Sequence, residues 1–126
     1  MNKRTTMLLV RDIRSQLLTE CSNVFYLEGS EEKTYPRIIF ETRPISETKM
    51  TLELDLWNYR RAGNAEEAEK TLFDLADSVE ALFDGMILSE PEYIASFCTN
   101  NDLKPVLDEN KDFKHVNMSF DIIYQS

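Results

Sequence analysis

Glycine occurs three times in this chain of 126 residues, cysteine twice and histidine once, and each scarcity removes a kind of chemistry. Gly29, Gly63 and Gly85 stand far apart, so neither kind of Gly-rich nucleotide-binding loop has its residues. One histidine and two distant cysteines are too few for a zinc site of four protein ligands. Cys21 and Cys98 make no CxxC pair. A single disulfide between them is compatible with the sequence, with reduced thiols the default in a cytoplasm. No signal peptide is expected, because the apolar run Met7–Val10 is short and Arg11 follows at once. No stretch approaches the ~20 apolar residues of a bilayer-spanning helix.

Basic residues are also scarce. Fourteen Lys and Arg stand against 23 Asp and Glu, for a net charge of −9. The imbalance is uneven: residues 1–63 hold ten basic and nine acidic side chains, residues 64–126 four basic and fourteen acidic. Phosphate backbones need a basic footprint, so sequence-specific DNA binding is disfavoured. The ordinary reading of the charge is solubility. The sharper one is a polar molecule whose two halves attract each other head to tail. With 42% hydrophobic and 29% charged residues the chain is globular in composition. Its length fits one domain, 1–126, able to bury roughly two-thirds of its unfolded surface.

What is present is periodicity. Leu9, Ile13 and Leu17 recur at helical spacing within a segment from about Thr5, with Thr5 or Thr6 as cap, to Glu20. Arg4, Arg11 and Arg14 fall on its wetter face. Short extended runs follow at Val24–Leu27 and at Tyr35–Arg43, the latter closed by Pro44. Met50, Leu52, Leu54 and Leu56 then alternate with Thr51, Glu53, Asp55, Trp57 and Tyr59, the signature of a strand with one buried face. The short loop 44–49 makes a hairpin of these two runs. At Asn64, a cap with Glu67 in the capping-box position, the period changes. Ala65, Ala68, Leu72, Leu75, Val79 and Leu82 form a helical stripe that Gly85 ends. Two more alternating strands cover Tyr93–Cys98 and Val116–Tyr124, with a long polar turn between. The expected fold is α+β: a mostly antiparallel sheet of four to five strands with two helices packed on one face.

Candidate chemistry is thin. His115, on a polar strand face with no nucleophile signature nearby, reads as a surface residue, and Cys98 as a packing residue rather than a nucleophile. Glu53 and Asp55 share a face and are the nearest thing to a carboxylate metal site. The plainer reading sets them on the solvent side of a sheet, paired with Arg37 or Arg43. Asp108–Asp112 lacks the glycine and terminal glutamate of a calcium loop. No catalytic, cofactor-binding or metal-binding residue is expected, and the chain reads as a non-enzyme without a cofactor. Trp57, Tyr59, Arg60 and Arg61 combine aromatics with cations, the residue types that dominate protein-contact hot spots. They are the candidate contact residues, with the loops Glu28–Thr34 and Pro44–Lys49 beside them.

The segments YPRIIFET, LELDLWNYR, NAEEAEKTLFDLADSVEALFDG and HVNMSFDIIYQS, after an N-terminal helix, together cover most of the chain. In this order they resemble the phage tail-terminator (tail-completion) family of long-tailed phages and prophages. The resemblance implies a homo-oligomeric ring, usually a hexamer. The ring caps the tail tube, ends its polymerisation and offers the head-joining surface. The implied partners are the tail tube protein and a head-completion or connector protein. DNA passes through the ring without being read, and there is no membrane. The implied location is the host cytoplasm during assembly and then the virion tail. Two other readings remain open on the residues: a head-completion or head–tail connector subunit, and a small bacterial ligand-binding or regulatory α+β domain.

Overall fold

The structure, a computed structural model, describes residues 1–29, 34–59, 65–100, 104–106 and 113–126. Among the described residues the order is α1 (Lys3–Leu17), β1 (Val24–Tyr26), β2 (Arg37–Pro44), β3 (Lys49–Tyr59), α2 (Ala65–Phe83), β4 (Ile87–Glu90), β5 (Tyr93–Thr99), β6 (Lys104–Val106) and β7 (Phe113–Gln125). The strands form one sheet, β1-β2-β3-β7-β5-β4, and β6 also pairs with β7.

This corrects the expected fold. The mostly antiparallel sheet of four to five strands with two helices on one face is replaced by a curled, mixed half-barrel sheet of seven strands. Three features make the difference. β1 pairs with β2 in parallel, Val24 opposite Ile38, and Leu27, at φ 70°, starts the chain on its way back. β4 and β6 are four and three residues long and mostly exposed, too short to show alternation in the sequence. β7 runs for thirteen residues. It pairs with β3 from Phe113 to Ile123, with β6 around His115–Asn117 and with β5 over Phe120–Gln125. Strands twist by a fixed hand, and a long central strand passes that twist to every neighbour, so the sheet rolls instead of lying flat.

The inward face of the roll is apolar. β3 buries Met50, Leu52, Leu54 and Leu56, β7 buries Val116, Met118, Phe120, Ile122 and Tyr124, and β5 buries Tyr93, Ala95 and Phe97. α1 adds Leu9, Val10, Ile13 and Leu17, and α2 adds Leu72, Leu75, Ala76, Val79 and Phe83, all in one cluster. Phe83 is the hinge of this packing, its ring 5.2 Å from Phe97 and 5.5 Å from Phe120. Full burial of such a side chain contributes about 1.5–3 kcal/mol. Leu82, assigned to the stripe by its spacing, is only half-buried, and Phe83 occupies the place four residues after Val79.

Local chemistry sets the helix ends. α1 starts two residues before Thr5, because Asn2 is the cap: its Oδ1 accepts the Thr5 N–H at 2.8 Å. Thr5 is itself buried inside the first turn, and the helix stops at Leu17 rather than at Glu20. Asn64, the expected cap of α2, lies outside the described residues. Gly85 stands at φ +79°, and its N–H donates to the Phe97 carbonyl at 3.0 Å, so the left-handed turn delivers the chain into β4. One polar bond ties α1 to the far side of the sheet: the buried Tyr93 hydroxyl donates to the Asp12 carboxylate. Burial first, then that carboxylate, pushes the Tyr93 phenol well above its ordinary value.

A Cβ built on Gly85 meets nothing within 4 Å, so Gly85→Ala isolates the cost of the left-handed backbone. The expected loss is about 1–2 kcal/mol, read from urea denaturation. Tyr93 must stay neutral to hold Asp12. Its stabilising effect is complete below the ordinary tyrosine pKa and fades as pH rises past about 10. Tyr93→Phe is expected to lose about 1.5–3 kcal/mol at neutral pH and to flatten that alkaline decline; an unchanged alkaline limb in the variant would refute this role.

Candidate functional site

Alternation along β3 decides which side chains look outward. With Met50 to Leu56 committed to the core, Thr51, Glu53, Asp55, Trp57 and Tyr59 must stand on the outer face. Register then chooses their neighbours. Trp57 lies between Arg37 of β2 and His115 of β7, Asp55 lies between Ile39 and Asn117, and Tyr59 is opposite Phe113.

These neighbours form a connected polar network. His115 Nε2 is 2.7 Å from Asp55 Oδ1. Asn117 Nδ2 donates to Asp55 Oδ1 at 3.0 Å and to Glu53 Oε1 at 3.2 Å. Glu53 is ion-paired with Arg43. The hydrogen bond from His115 holds the Asp55 carboxyl below its ordinary value, against the opposing effect of burial and with further help from Asn117. The pairing of Glu53 with Arg43 matches the plainer reading of the sequence. Asp55 differs: its partner is His115 rather than Arg37. His115 is not a bare surface residue either. Its side chain is 11% exposed, because the Trp57 ring stacks over it with centroids 3.7 Å apart and planes 13° off parallel.

Beyond Trp57 the outer face becomes aromatic. Tyr59, 39% exposed, sits 5.2 Å from Phe113 and 6.1 Å from Tyr35, and Tyr35 is 5.6 Å from Phe113. The buried Arg37 guanidinium lies over Tyr35 at 4.9 Å and over Phe25 at 5.3 Å. Trp57 and Tyr59 are thus brought together on one band. Arg60 and Arg61 lie outside the described residues, as do residues 30–33 of the Glu28–Thr34 loop and the whole of Asp108–Asp112. Phe113, Tyr35, His115 and Asn117 belong to the band or its support and carry no contact signal in the sequence. The signal for them was cross-strand register, which a single sequence does not carry.

The opposite end of the same face has another character. Lys49, Ile123, Ser96 and Ile87 lie across four strands in one row. Ile87 is 66% exposed, Ile94 50% and Ile123 47%. Cys98 is also exposed here, opposite Asp121, which corrects its reading as a packing residue. Cys21 is buried, its thiol pushed up by burial, and both cysteines are free. Among the described residues, no group of three or more His, Cys, Asp or Glu could hold a metal ion. Among the same residues no helix is long and apolar enough to cross a membrane.

The depressed Asp55 carboxyl fixes a pH dependence. Its contribution is present above the unfolded aspartate pKa of about 4 and is lost as pH falls below it. The stability gap between the protein and its Asp55→Asn variant is therefore expected to narrow between about pH 5 and pH 3. Chemical denaturation at each pH measures it, and a gap that widens on acidification would contradict the network.

Set against known proteins, the chain matches no family model and no curated sequence.

Proposed function

We propose that this chain is a structural subunit of virion assembly, acting as phage tail terminators do: a ring on the end of a tail tube that stops its growth and presents a surface to the head. The observation that carries the reading is the outer sheet face with two unlike ends. At one end is the aromatic band of exposed Tyr59 and half-buried Trp57 and Phe113, with the buried Arg37 opposite Trp57. At the other are the exposed isoleucines 87, 94 and 123. The rows that carry Trp57 and Ile123 are eight residues apart along β3, about 27 Å at 3.4 Å per residue. A subunit joining a tube on one side to a head-side partner on the other needs two such surfaces. Tyr and Trp supply large contact area at low conformational cost, and with Arg they are enriched at interface hot spots. The resemblance of the strand and helix segments to the terminator family supports the same reading. In this role the protein works in the host cytoplasm during assembly and then in the virion tail.

The test is electron microscopy of the protein mixed with cognate tail tubes. Particles capping tube ends are expected. Tyr59→Ala, which removes the most exposed member of the aromatic band, is expected to weaken capping at least tenfold while leaving the circular dichroism unchanged. Attachment only to portal-bearing heads would sink the terminator reading. A protein that stays monomeric with tubes present, and whose melting point rises with a small molecule, would replace it with a ligand-binding domain.

A further inference from the structure

The two helices carry opposite charges on their outer faces. On α1, Lys3, Arg4, Arg11 and Arg14 are all exposed. At 3.6 residues per turn they fall within roughly 100° of one another, a single stripe. Arg11 pairs with its neighbour Asp12, at 3.2 Å, and Arg14 reaches the Val24 carbonyl at 3.4 Å. On α2, Glu66, Glu69, Asp77 and Glu80 are exposed and also share one stripe, with Lys70 at its border. Among the described residues no ion pair joins α1 to α2 within the chain.

Each stripe runs against its own helix at one end, while Arg14 suits the C-terminal end of α1 and Glu66 the N-terminal end of α2. α1 has no acid in its first turn, where Lys3 and Arg4 meet the positive end of the dipole. α2 has no base in its last turn, where Glu80 meets the negative end and Asp84 follows. Both placements are locally unfavourable, and both become favourable if the N-terminal end of one helix lies beside the C-terminal half of the other. The spacing agrees. Lys3, Arg11 and Arg14 are separated by eight and three residues, and Glu66, Glu69 and Asp77 by three and eight. An antiparallel alignment sets Arg14 by Glu66, Arg11 by Glu69 and Lys3 by Asp77, each eight-residue step spanning about 12 Å.

We propose that copies of this chain associate head to tail, the basic stripe of α1 on one copy lying antiparallel on the acidic stripe of α2 on the next. The two surfaces differ, so each copy keeps one of each kind free and the contact repeats until a ring closes. The contact deepens the ring reading above and rests on its premise that copies assemble. It leaves the outer sheet face clear for other partners.

Charge reversal tests it, with native mass measured by sedimentation equilibrium. The unmodified protein is expected to assemble beyond two copies at about 0.1 M salt and to fall apart toward about 1 M, as the Debye length shrinks from about 10 Å to about 3 Å. The variant Lys3→Glu, Arg4→Glu, Arg11→Glu, Arg14→Glu should be monomeric. So should Glu66→Lys, Glu69→Lys, Asp77→Lys, Glu80→Lys. Mixed in equal amounts, they should assemble again, since each then offers the stripe the other lacks. Four results overturn the inference: a monomeric unmodified protein at low salt, a mass that stops at two copies, reversed variants that assemble like the original, or a mixture that stays monomeric. If the α2 variant loses its helical signal, the α1 variant, in which the acids at positions 3 and 4 suit the helix N-terminus, decides with the salt titration. Tube capping by the reversed variants separates the two readings. Capping that persists removes only this helix contact, whereas bare tube ends with the unmodified protein remove the ring itself.

Discussion

A strand of thirteen residues in the middle of a sheet must satisfy its backbone on both edges, and how β7 does so shapes the rest of the molecule. One edge is taken by β3 for eleven residue pairs. The other is divided between β6 and β5, which leave it at different points. A strand of that length carries its right-handed twist to all three neighbours, and the sheet curls. Curling brings Phe120, Ile122 and Tyr124 toward the residues of β3 and β5 and makes room for Phe83 of α2 among them. The Tyr93–Asp12 bond then fastens α1 to β5. The curl and the seat of α2 follow from how one strand is paired, while α1 rests by β1 and is tied to β5.

The outer face obeys the same geometry with different chemistry. Residues that alternate with the core on β3 and β7 are held in rows, and each row has its own composition. Asp55, His115 and Asn117 satisfy one another, which keeps a titratable centre ordered without taking it deep into the interior. Trp57 shields that centre by stacking on His115 and at the same time begins the aromatic band. Support and contact surface are therefore built from the same row, and altering Trp57 disturbs both. The helix charges lie on separate elements. Contacts made by the helices and contacts made by the sheet face can be changed independently.

Much of the local structure was legible in the sequence. Strict alternation from Met50 to Tyr59 marks β3, and the spacing of Ala68, Leu72, Leu75 and Val79 with Gly85 beyond them marks α2, because these periods report burial directly. The start of α1 was missed by two residues, since Asn2 and Thr5 are both competent caps and only the folded first turn chooses between them. β4 and β6 were invisible, being too short for a period to develop. Trp57 and Tyr59 were recognisable as contact residues by type, but Tyr35, Phe113 and His115 gain their place beside them through register.

By itself the sequence determined which faces are apolar, which period each main segment follows, and that the second half of the chain is the acidic one. These are properties of neighbours in the chain, fixed by 2.0- and 3.6-residue geometry. The tertiary structure decided the parallel pairing of β1 with β2, the curl imposed by β7, and the meeting of Asp55 with His115 across 60 residues. Those depend on which distant segments pair and in what register, a choice set by the packing of the whole core and carried by no local pattern.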